Sequence, residues 1–216
     1  MTKEEDTAPM SRRDELRSER RSAILETATQ FFLENGYAGT TMSAVAARLG
    51  GSKGTLWSYF CSKEELFSAC MEQCTQQFQS ELILILHPGA PLRKAITGFC
   101  RRFIEKIRQP DSIALYRLLC GEAARAPEAS RIFFERGPGV VEAMLTVFLA
   151  GHIAAGRLRA CPPIEMADFL FSLCTGMMHQ RALLGLASSD CVAADHLATQ
   201  VTESFFTLYA LDPAES

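Results

Sequence analysis

The pair Gly50–Gly51 separates two short segments with helical spacing, and this arrangement limits the folds open to the chain more than any other feature. We expect Thr41 to cap the first helix and Ser52 to cap a second helix that ends near Phe60. Two short helices joined by a tight glycine turn form a helix-turn-helix, whose second helix enters the major groove of DNA.

The second segment divides into an apolar stripe and a polar remainder when its residues are placed at about 100° per residue around a helix. Leu56 and Phe60 form the stripe that holds the helix down. Trp57, the only tryptophan of the chain, then faces outward, where its ring can contact a thymine methyl group. The alternative is a small core helix with this tryptophan tucked to its side. The outward and edge residues are Lys53, Gly54, Thr55, Trp57, Ser58 and Tyr59.

Nearly all of the chain after residue 16 has helical spacing, and strand-like alternation between turn residues is absent. Residues 1–16 are charged and lack an apolar period, so we expect a disordered arm there. We predict an all-α fold with one domain over residues 17–65 and a larger one over residues 66–216. The helices predicted from capping, glycine and proline residues span about 16–35, 41–49, 52–60, 62–86, 91–110, 111–125, 127–137, 140–155, 164–184 and 193–209.

A cluster of five arginines stands where the first long helix begins, and three acidic residues interrupt it. Two interpretations remain open for the cluster. It is either a solvated helix end whose charges pair with one another, or a basic arm that adds salt-dependent affinity for DNA. The arginines are Arg12, Arg13, Arg17, Arg20 and Arg21, and the acids are Asp14, Glu15 and Glu19.

Composition and motifs exclude several functional classes. The formal net charge of −3 identifies no partner. No run approaches about 18 apolar residues and no secretory signal is evident, so we expect a cytoplasmic protein without a membrane span. GxSxG, HExxH and phosphate-loop motifs are absent, so we expect neither an enzyme nor a bound cofactor or metal. The eight cysteines read as buried thiols, with a redox or metal role for Cys70 and Cys74 as the alternative.

The stretch "ILETATQFFLENGYAGTTMSAVAARLGGSKGTLWSYFCSKEELF" (Ile24–Phe67) resembles the DNA-binding domain of the TetR (tetracycline-repressor) family. The resemblance implies a three-helix domain with a helix-turn-helix, followed by a larger helical ligand-binding and dimerisation domain. It also implies that base readout falls mainly on Thr55 and Trp57, with Ser43 as a further candidate. The residues that match DNA-contacting positions of the family are Thr41, Ser52, Lys53, Gly54, Thr55, Trp57, Ser58, Tyr59 and Lys63.

Three residues depart from the family pattern. Gly51 replaces a usual valine, Cys61 replaces a usual proline or polar residue, and Trp57 replaces the common tyrosine. The tryptophan means that no operator sequence can be copied from relatives. Farther along, Leu115–Leu158 resembles the AefR-like branch of the family, which implies a helical fold for that region and identifies no ligand.

The larger domain offers candidates for an effector site and a dimer interface. An effector cavity between helices is usually apolar with a few placed polar groups, although each candidate also fits a plain core position. The candidates for its lining are Phe99, Phe103, Leu119, Met144, Phe148, His152 and Phe171. His152 equally fits a surface or hydrogen-bonded position.

The last two predicted helices carry apolar residues at heptad-like spacing, which is typical either of a dimeric four-helix bundle or of an intrachain core. The resemblance favours the dimer. The interface candidates are Phe169, Leu173, Met177, Leu197, Val201, Phe205 and Leu208.

These features together favour a ligand-responsive, dimeric transcriptional repressor that a small, hydrophobic molecule releases from a roughly palindromic DNA operator. A helical enzyme would need catalytic residues that the chain brings together only in space. An architectural DNA-binding factor would keep the first domain and lack the effector cavity.

Overall fold

The computed structural model describes residues 11–50, 53–186 and 193–211, with only the backbone of Lys53. In these ranges the chain is helical, and the only β pairing is an isolated antiparallel bridge between Leu158 and Ala210. The predicted all-α fold is confirmed. The helices are α1 Arg12–Gly39, α2 Met42–Arg48, α3 Lys53–Trp57, α4 Lys63–Ile85, α5 Leu92–Arg108, α6 Pro110–Glu122, α7 Pro127–Arg136, α8 Pro138–Ala154, α9 Pro163–Leu183 and α10 Ala194–Tyr209.

The chain divides into two compact units, Met1–Cys70 and Met71–Ser216. The boundary falls within α4, so the division predicted between residues 65 and 66 lies earlier on the same helix. The first unit contains α1, α2, α3 and the start of α4. The second contains the rest of α4 and the remaining helices.

Helix α1 begins earlier than its apolar period indicates. The hydroxyl of Ser11 accepts a hydrogen bond from the backbone N–H of Arg13 at 3.2 Å, which caps the helix. Residues 12–16, assigned to a disordered arm in the sequence analysis, are therefore helical. Residues 1–10 of that arm lie outside the described residues.

Gly36 marks a kink in α1, close to the helix end predicted from the sequence. Its backbone has φ 74° and ψ 167°, and a positive φ of this kind favours glycine. The chain then continues through a short helical turn to Gly39. The hydroxyl of Thr40, which is buried, donates to the carbonyl of Gly36 at 2.6 Å and closes that turn.

The core of the second unit lies between α5, α8, α9 and α10, with the second half of α4 beside them. Apolar residues recur on one face of α5 at helical spacing, which explains why this helix packs against both α9 and α10. The largest side chains that this core buries completely or almost so are Phe99, Phe205 and Phe206.

Pro127–Ala154 is the one stretch among the described residues that is long and apolar enough to cross a membrane by length and composition. The chain breaks this stretch at Gly137, where α7 ends and α8 begins. Helix α8 buries Val141 and Leu145 in the core of the second unit. We therefore assign the stretch to that core.

Candidate nucleic-acid interface and effector region

Helix α2 begins at a side-chain cap and buries apolar residues in the core of the first unit. The hydroxyl of Thr41 accepts from the backbone N–H of Ala44 at 3.2 Å, as the sequence predicts. Met42 and Val45 are buried, whereas Ser43 is exposed. Gly50 has a φ of 64°, which suits the tight turn after α2. Ser52, predicted to cap α3, lies outside the described residues.

Helix α3 is anchored by its apolar stripe and presents its indole to solvent. Leu56 and Phe60 are each 1% exposed, whereas Trp57 is 46% exposed. This orientation confirms the helical phase read from the sequence and excludes the alternative of a tucked core tryptophan. The helix ends at Trp57, before the predicted Phe60, and the chain continues as a turn in which the amide of Phe60 bonds the carbonyl of Leu56 at 3.1 Å.

The other predicted DNA-contacting residues surround this indole on the first unit. Gly54 and Ser58 are exposed, and Thr55 and Tyr59 are half-buried. Thr41 and Ser43 are exposed on α2, which packs against α3. The side chain of Lys53, also predicted to contact DNA, lies outside the described part of the structure. A surface of hydroxyls, a phenol and an indole suits contacts with phosphates and base edges.

Lys63 has an intramolecular role that the sequence analysis missed. Its amino group donates to the carbonyl of Tyr37 at 3.0 Å and lies 4.2 Å from the centre of the Tyr37 ring. The Tyr37 hydroxyl donates to Glu64 at 3.1 Å. The pKa of Glu64 is lowered, first by its backbone N–H at the helix start and then by Ser62, Tyr37 and Lys63. A phosphate contact by Lys63 stays a prediction.

The start of α4 carries the side-chain cap that the sequence predicts. The backbone N–H of Glu65 donates to the hydroxyl of Ser62 at 3.1 Å. The Glu65 carboxylate accepts in return from the backbone N–H of Cys61 at 2.6 Å, one residue before the position usual in a capping box. These bonds fix the turn between α3 and α4.

Two arginines of α1 lie over the rings that follow α3. The guanidinium carbon of Arg17 is 5.9 Å from the centre of the Tyr59 ring, and that of Arg21 is 5.3 Å from the centre of the Phe60 ring. Both side chains are exposed. The sequence showed the arginine cluster, but which rings it meets depends on tertiary packing.

Several predicted effector-site residues form one aromatic cluster in the second unit. The rings of Phe99, Phe103 and Phe171 have centroids 5.0 to 5.8 Å apart. Phe99 is buried and the other two are half-buried against the core, as is Met144. Leu119 is buried on α6 outside this cluster. The region is apolar, and its members also serve as core.

His152 is buried next to Phe148, with their ring centroids 4.5 Å apart and only 3% of the histidine exposed. Its Nδ1 accepts from Nε of Arg157 at 2.9 Å. Its buried Nε2 has no hydrogen-bond partner among the described residues. Burial, and secondarily the charge of Arg157, lower the pKa of His152. The surface position considered from the sequence is therefore wrong. Of the hydrogen bonds considered as the alternative, the one at Nδ1 is present and the one at Nε2 is missing among the described residues.

The structure corrects part of the predicted dimer interface. Val201 and Phe205 are 4% and 0% exposed and belong to the core of their own chain. Their spacing marked the buried face of α10 without identifying what buries it. Met177 and Leu208 are 65% and 46% exposed. The remaining candidates, which are half-buried, are Phe169, Leu173 and Leu197.

The cysteines differ in burial. Cys70, Cys100 and Cys174 are buried, as expected, whereas the interpretation as buried thiols is wrong for Cys61, Cys74 and Cys120, which are exposed. No disulfide joins cysteines within the described part of the chain. Within that same part, no group of three or more His, Cys, Asp and Glu residues is placed to hold a metal ion.

Two sequence-family models match the chain. The model described as bacterial regulatory proteins of the tetR family matches residues 24–70, which contain α2 and α3. The model described as the C-terminal domain of AefR-like transcriptional repressors matches residues 94–211, more than half of the chain.

Individual relatives agree with these matches. The HTH-type transcriptional regulator RutR of Escherichia coli K12 is 30% identical over 75% of this chain and 74% of RutR. The HTH-type transcriptional regulator YhgD of Bacillus subtilis 168 is 32% identical over 36% of this chain, which spans only 41% of YhgD. Among solved structures, the Flavonoid-responsive Regulator FrrA has a TM-score of 0.75 and 28% identity, over 90% of this chain and 98% of FrrA.

Proposed function

Because this chain belongs to the TetR family of bacterial transcriptional regulators, with a C-terminal domain of the AefR-like repressors, we propose that it is a dimeric repressor that a small hydrophobic effector releases from its operator. The chain is a DNA-binding regulator and not an enzyme. The observation that carries the proposal is the exposed Trp57 on a helix anchored by Leu56 and Phe60.

In this proposal α3 enters the major groove and its outward residues contact DNA. The indole of Trp57 and the hydroxyl of Thr55 read base edges, with Ser43 of α2 as a further reader. Gly54 allows the backbone to come close to the DNA because it has no side chain. The residues proposed to contact the phosphates are Thr41, Ser52, Lys53, Ser58, Tyr59 and Lys63.

Exposed apolar side chains on α9, just after its end and on α10 support a dimer. Met177, Leu184 and Leu208 are 65%, 74% and 46% exposed, although each is large and hydrophobic. A two-fold dimer would bury such residues in an isologous contact, together with the half-buried Leu173 and Phe169. Two copies of α3 related by a two-fold axis would read a roughly palindromic operator.

The aromatic cluster of Phe99, Phe103 and Phe171 supports a hydrophobic effector with a ring. FrrA is a flavonoid-responsive regulator, which favours a flat aromatic compound as the effector of this protein. Nε2 of His152, which has no partner among the described residues and lies beside Phe148 of the same core, offers one polar group. An effector that binds one dimer conformation, while the operator binds another, lowers operator affinity through linkage. The protein acts where the operator is, in the cytoplasm.

The test begins with selection of duplexes from a random pool by the purified protein. We expect one roughly palindromic sequence to be enriched and to bind at least about 1000-fold tighter than a scrambled duplex. A panel of flavonoids, with aliphatic acids as controls, is then titrated into the complex while fluorescence anisotropy reports DNA release. Enrichment of no sequence would contradict operator binding, and release by the aliphatic acids alone would contradict an aromatic effector.

A further inference from the structure

The arginines at the start of α1 carry charge that the described part of the protein does not neutralise. Arg12, Arg13, Arg17, Arg20 and Arg21 are all exposed. None of them lies within ion-pair distance of a carboxylate of the described residues, although three acids lie among them along the helix. An exposed arginine elsewhere in the same unit, Arg48, does pair with an acid. The interpretation of the cluster as a helix end laced with ion pairs is therefore not supported.

Two of these arginines share one side of α1. Arg17 and Arg21 are four residues apart, and Ile24 and Ala28 continue the same side as buried core residues. This side of α1 faces the rest of the first unit, so both guanidinium groups reach the rings that follow α3. Arg12 lies about 140° around the helix from Arg17 and therefore on a different side of α1.

The positions of Arg17 over the Tyr59 ring and of Arg21 over the Phe60 ring restrict both side chains without using up their donors. A guanidinium group over a ring face keeps its N–H groups in its own plane, and these can still bind an anion. Such a group is positioned for a phosphate before DNA arrives, which lowers the entropy cost of the contact.

The length of α3 indicates what would lie next to these arginines in a complex. Five residues of helix span about 7.5 Å, whereas the major groove is about 12 Å wide. Groups immediately beyond the end of α3 therefore meet the edge of the groove, which is formed by backbone phosphates. Tyr59, together with the two arginines that lie over the Tyr59 and Phe60 rings, occupies that place.

We propose that Arg17 and Arg21 form a second DNA contact, which clamps backbone phosphates beside the groove that α3 reads. The inference rests on the proposed function, because it assumes that α3 binds DNA. Phosphate contacts carry no base information, so the pair contributes affinity and salt dependence but not sequence preference.

The test uses the full-length protein, its selected operator and a scrambled duplex of the same length. Dissociation constants are measured by fluorescence anisotropy between about 0.05 and 0.3 M KCl, a range in which phosphate contacts change affinity strongly. The variants are Arg17→Gln, Arg21→Gln and their double combination. Arg12→Gln is the matched control, because it removes one charge from the same helix. The double Arg→Lys variant keeps both charges, and thermal unfolding checks that every variant folds.

The salt slope is the slope of the logarithm of the binding constant against the logarithm of the salt concentration. Loss of two phosphate contacts should make this slope about 1.8 units shallower in the double glutamine variant. Near 0.15 M salt, binding to both duplexes should be about 30-fold weaker. The ratio of operator to scrambled affinity stays as in the wild type. The lysine variant retains most of the slope, and Arg12→Gln changes it by less than half as much as Arg17→Gln.

Two outcomes overturn the clamp. One is a folded double variant whose slope equals that of the wild type, and the other is an equal effect of Arg12→Gln and Arg17→Gln. Failure of the proposed function has a different signature, since the wild-type protein itself would then bind operator and scrambled duplexes equally.

Discussion

The amino group of Lys63 lies 3.0 Å from the carbonyl oxygen of Tyr37 and 4.2 Å from the centre of its ring. The lysine thus joins the start of α4 to the end of α1. The Tyr37 ring is completely buried and packs edge-on against Phe67 at a centroid distance of 5.0 Å. The charge of Lys63 therefore serves the packing of the first unit, whatever the residue contributes to DNA binding.

Replacing Lys63 tests this structural role. Lys63→Met keeps much of the apolar stem but removes the hydrogen bond and the cation–π contact, so we expect the free energy of unfolding to fall by about 1–2 kcal/mol. Urea denaturation followed by circular dichroism measures the change. Lys94→Met is the control, because Lys94 is exposed and should tolerate the change within about 0.5 kcal/mol. If the two variants are equally stable, Lys63 does not stabilise the first unit.

Trp57→Ala separates DNA reading from folding. The exposed indole leaves the core intact when it is removed, so we expect unfolding to change by under about 1 kcal/mol. Discrimination between the operator and a duplex with one altered base pair should fall by about 1–3 kcal/mol. Leu56→Ala provides the contrast, because loss of a buried leucine costs about 2–5 kcal/mol of stability. An unaltered operator preference in Trp57→Ala would remove the indole from base readout.

A charge on the exposed apolar surface of α9 should break the proposed dimer. Met177→Glu would bury an unpaired carboxylate in the interface, and we expect the dimer dissociation constant to rise at least about 100-fold. Sedimentation equilibrium gives the constant directly. Val147→Glu is the control, since Val147 on α8 is 73% exposed and lies outside the proposed interface. Dissociation by Val147→Glu with no effect at Met177 would move the interface to α8.

We expect His152 to make the free energy of unfolding depend on pH. Burial and Arg157 lower its folded pKa below the ordinary value of 6.5, so the unfolded chain takes up a proton at a higher pH than the folded protein does. The stabilisation from keeping this ring neutral is complete above about pH 6.5. It is lost as pH falls from there through the folded pKa.

His152→Gln should therefore reduce the loss of unfolding free energy between about pH 7.5 and pH 5.5, the interval in which a histidine changes charge. Urea titrations at the two pH values give this difference. His196→Gln, on the exposed surface of α10, should leave it unchanged. If both variants keep the full wild-type loss, another group controls the acid dependence, and His179, whose pKa burial also lowers, is the next to test.

The spacing of apolar residues was sufficient to predict the orientation of α3 and insufficient to predict the proposed dimer interface. The four-residue interval between Leu56 and Phe60 determined the outward direction of Trp57, because the phase of a short helix follows from its anchors. The same logic at Val201 and Phe205 identified a buried face correctly. It assigned that face to a second copy, because an apolar stripe does not distinguish burial by a neighbouring helix from burial by a partner.

Long-range contacts explain the other differences. The start of α1 at Arg12 was missed because charged residues form a helix without an apolar period, and the cap by Ser11 is a weak signal in an isolated sequence. The pairing of Lys63 with Tyr37 joins residues far apart in the chain. The contact of Arg17 with the Tyr59 ring does the same, so neither contact can be read from helical spacing.

Helix α3 keeps the residues that fold it apart from the residues that face outward. Its five residues are too few for a stable helix alone, so its persistence depends on the buried Leu56, and on Phe60 just beyond its end. Mutations at Gly54, Trp57 or Ser58 can accumulate without loss of the scaffold. Such a protein can acquire a new target site by point substitution while the rest of the fold is inherited unchanged.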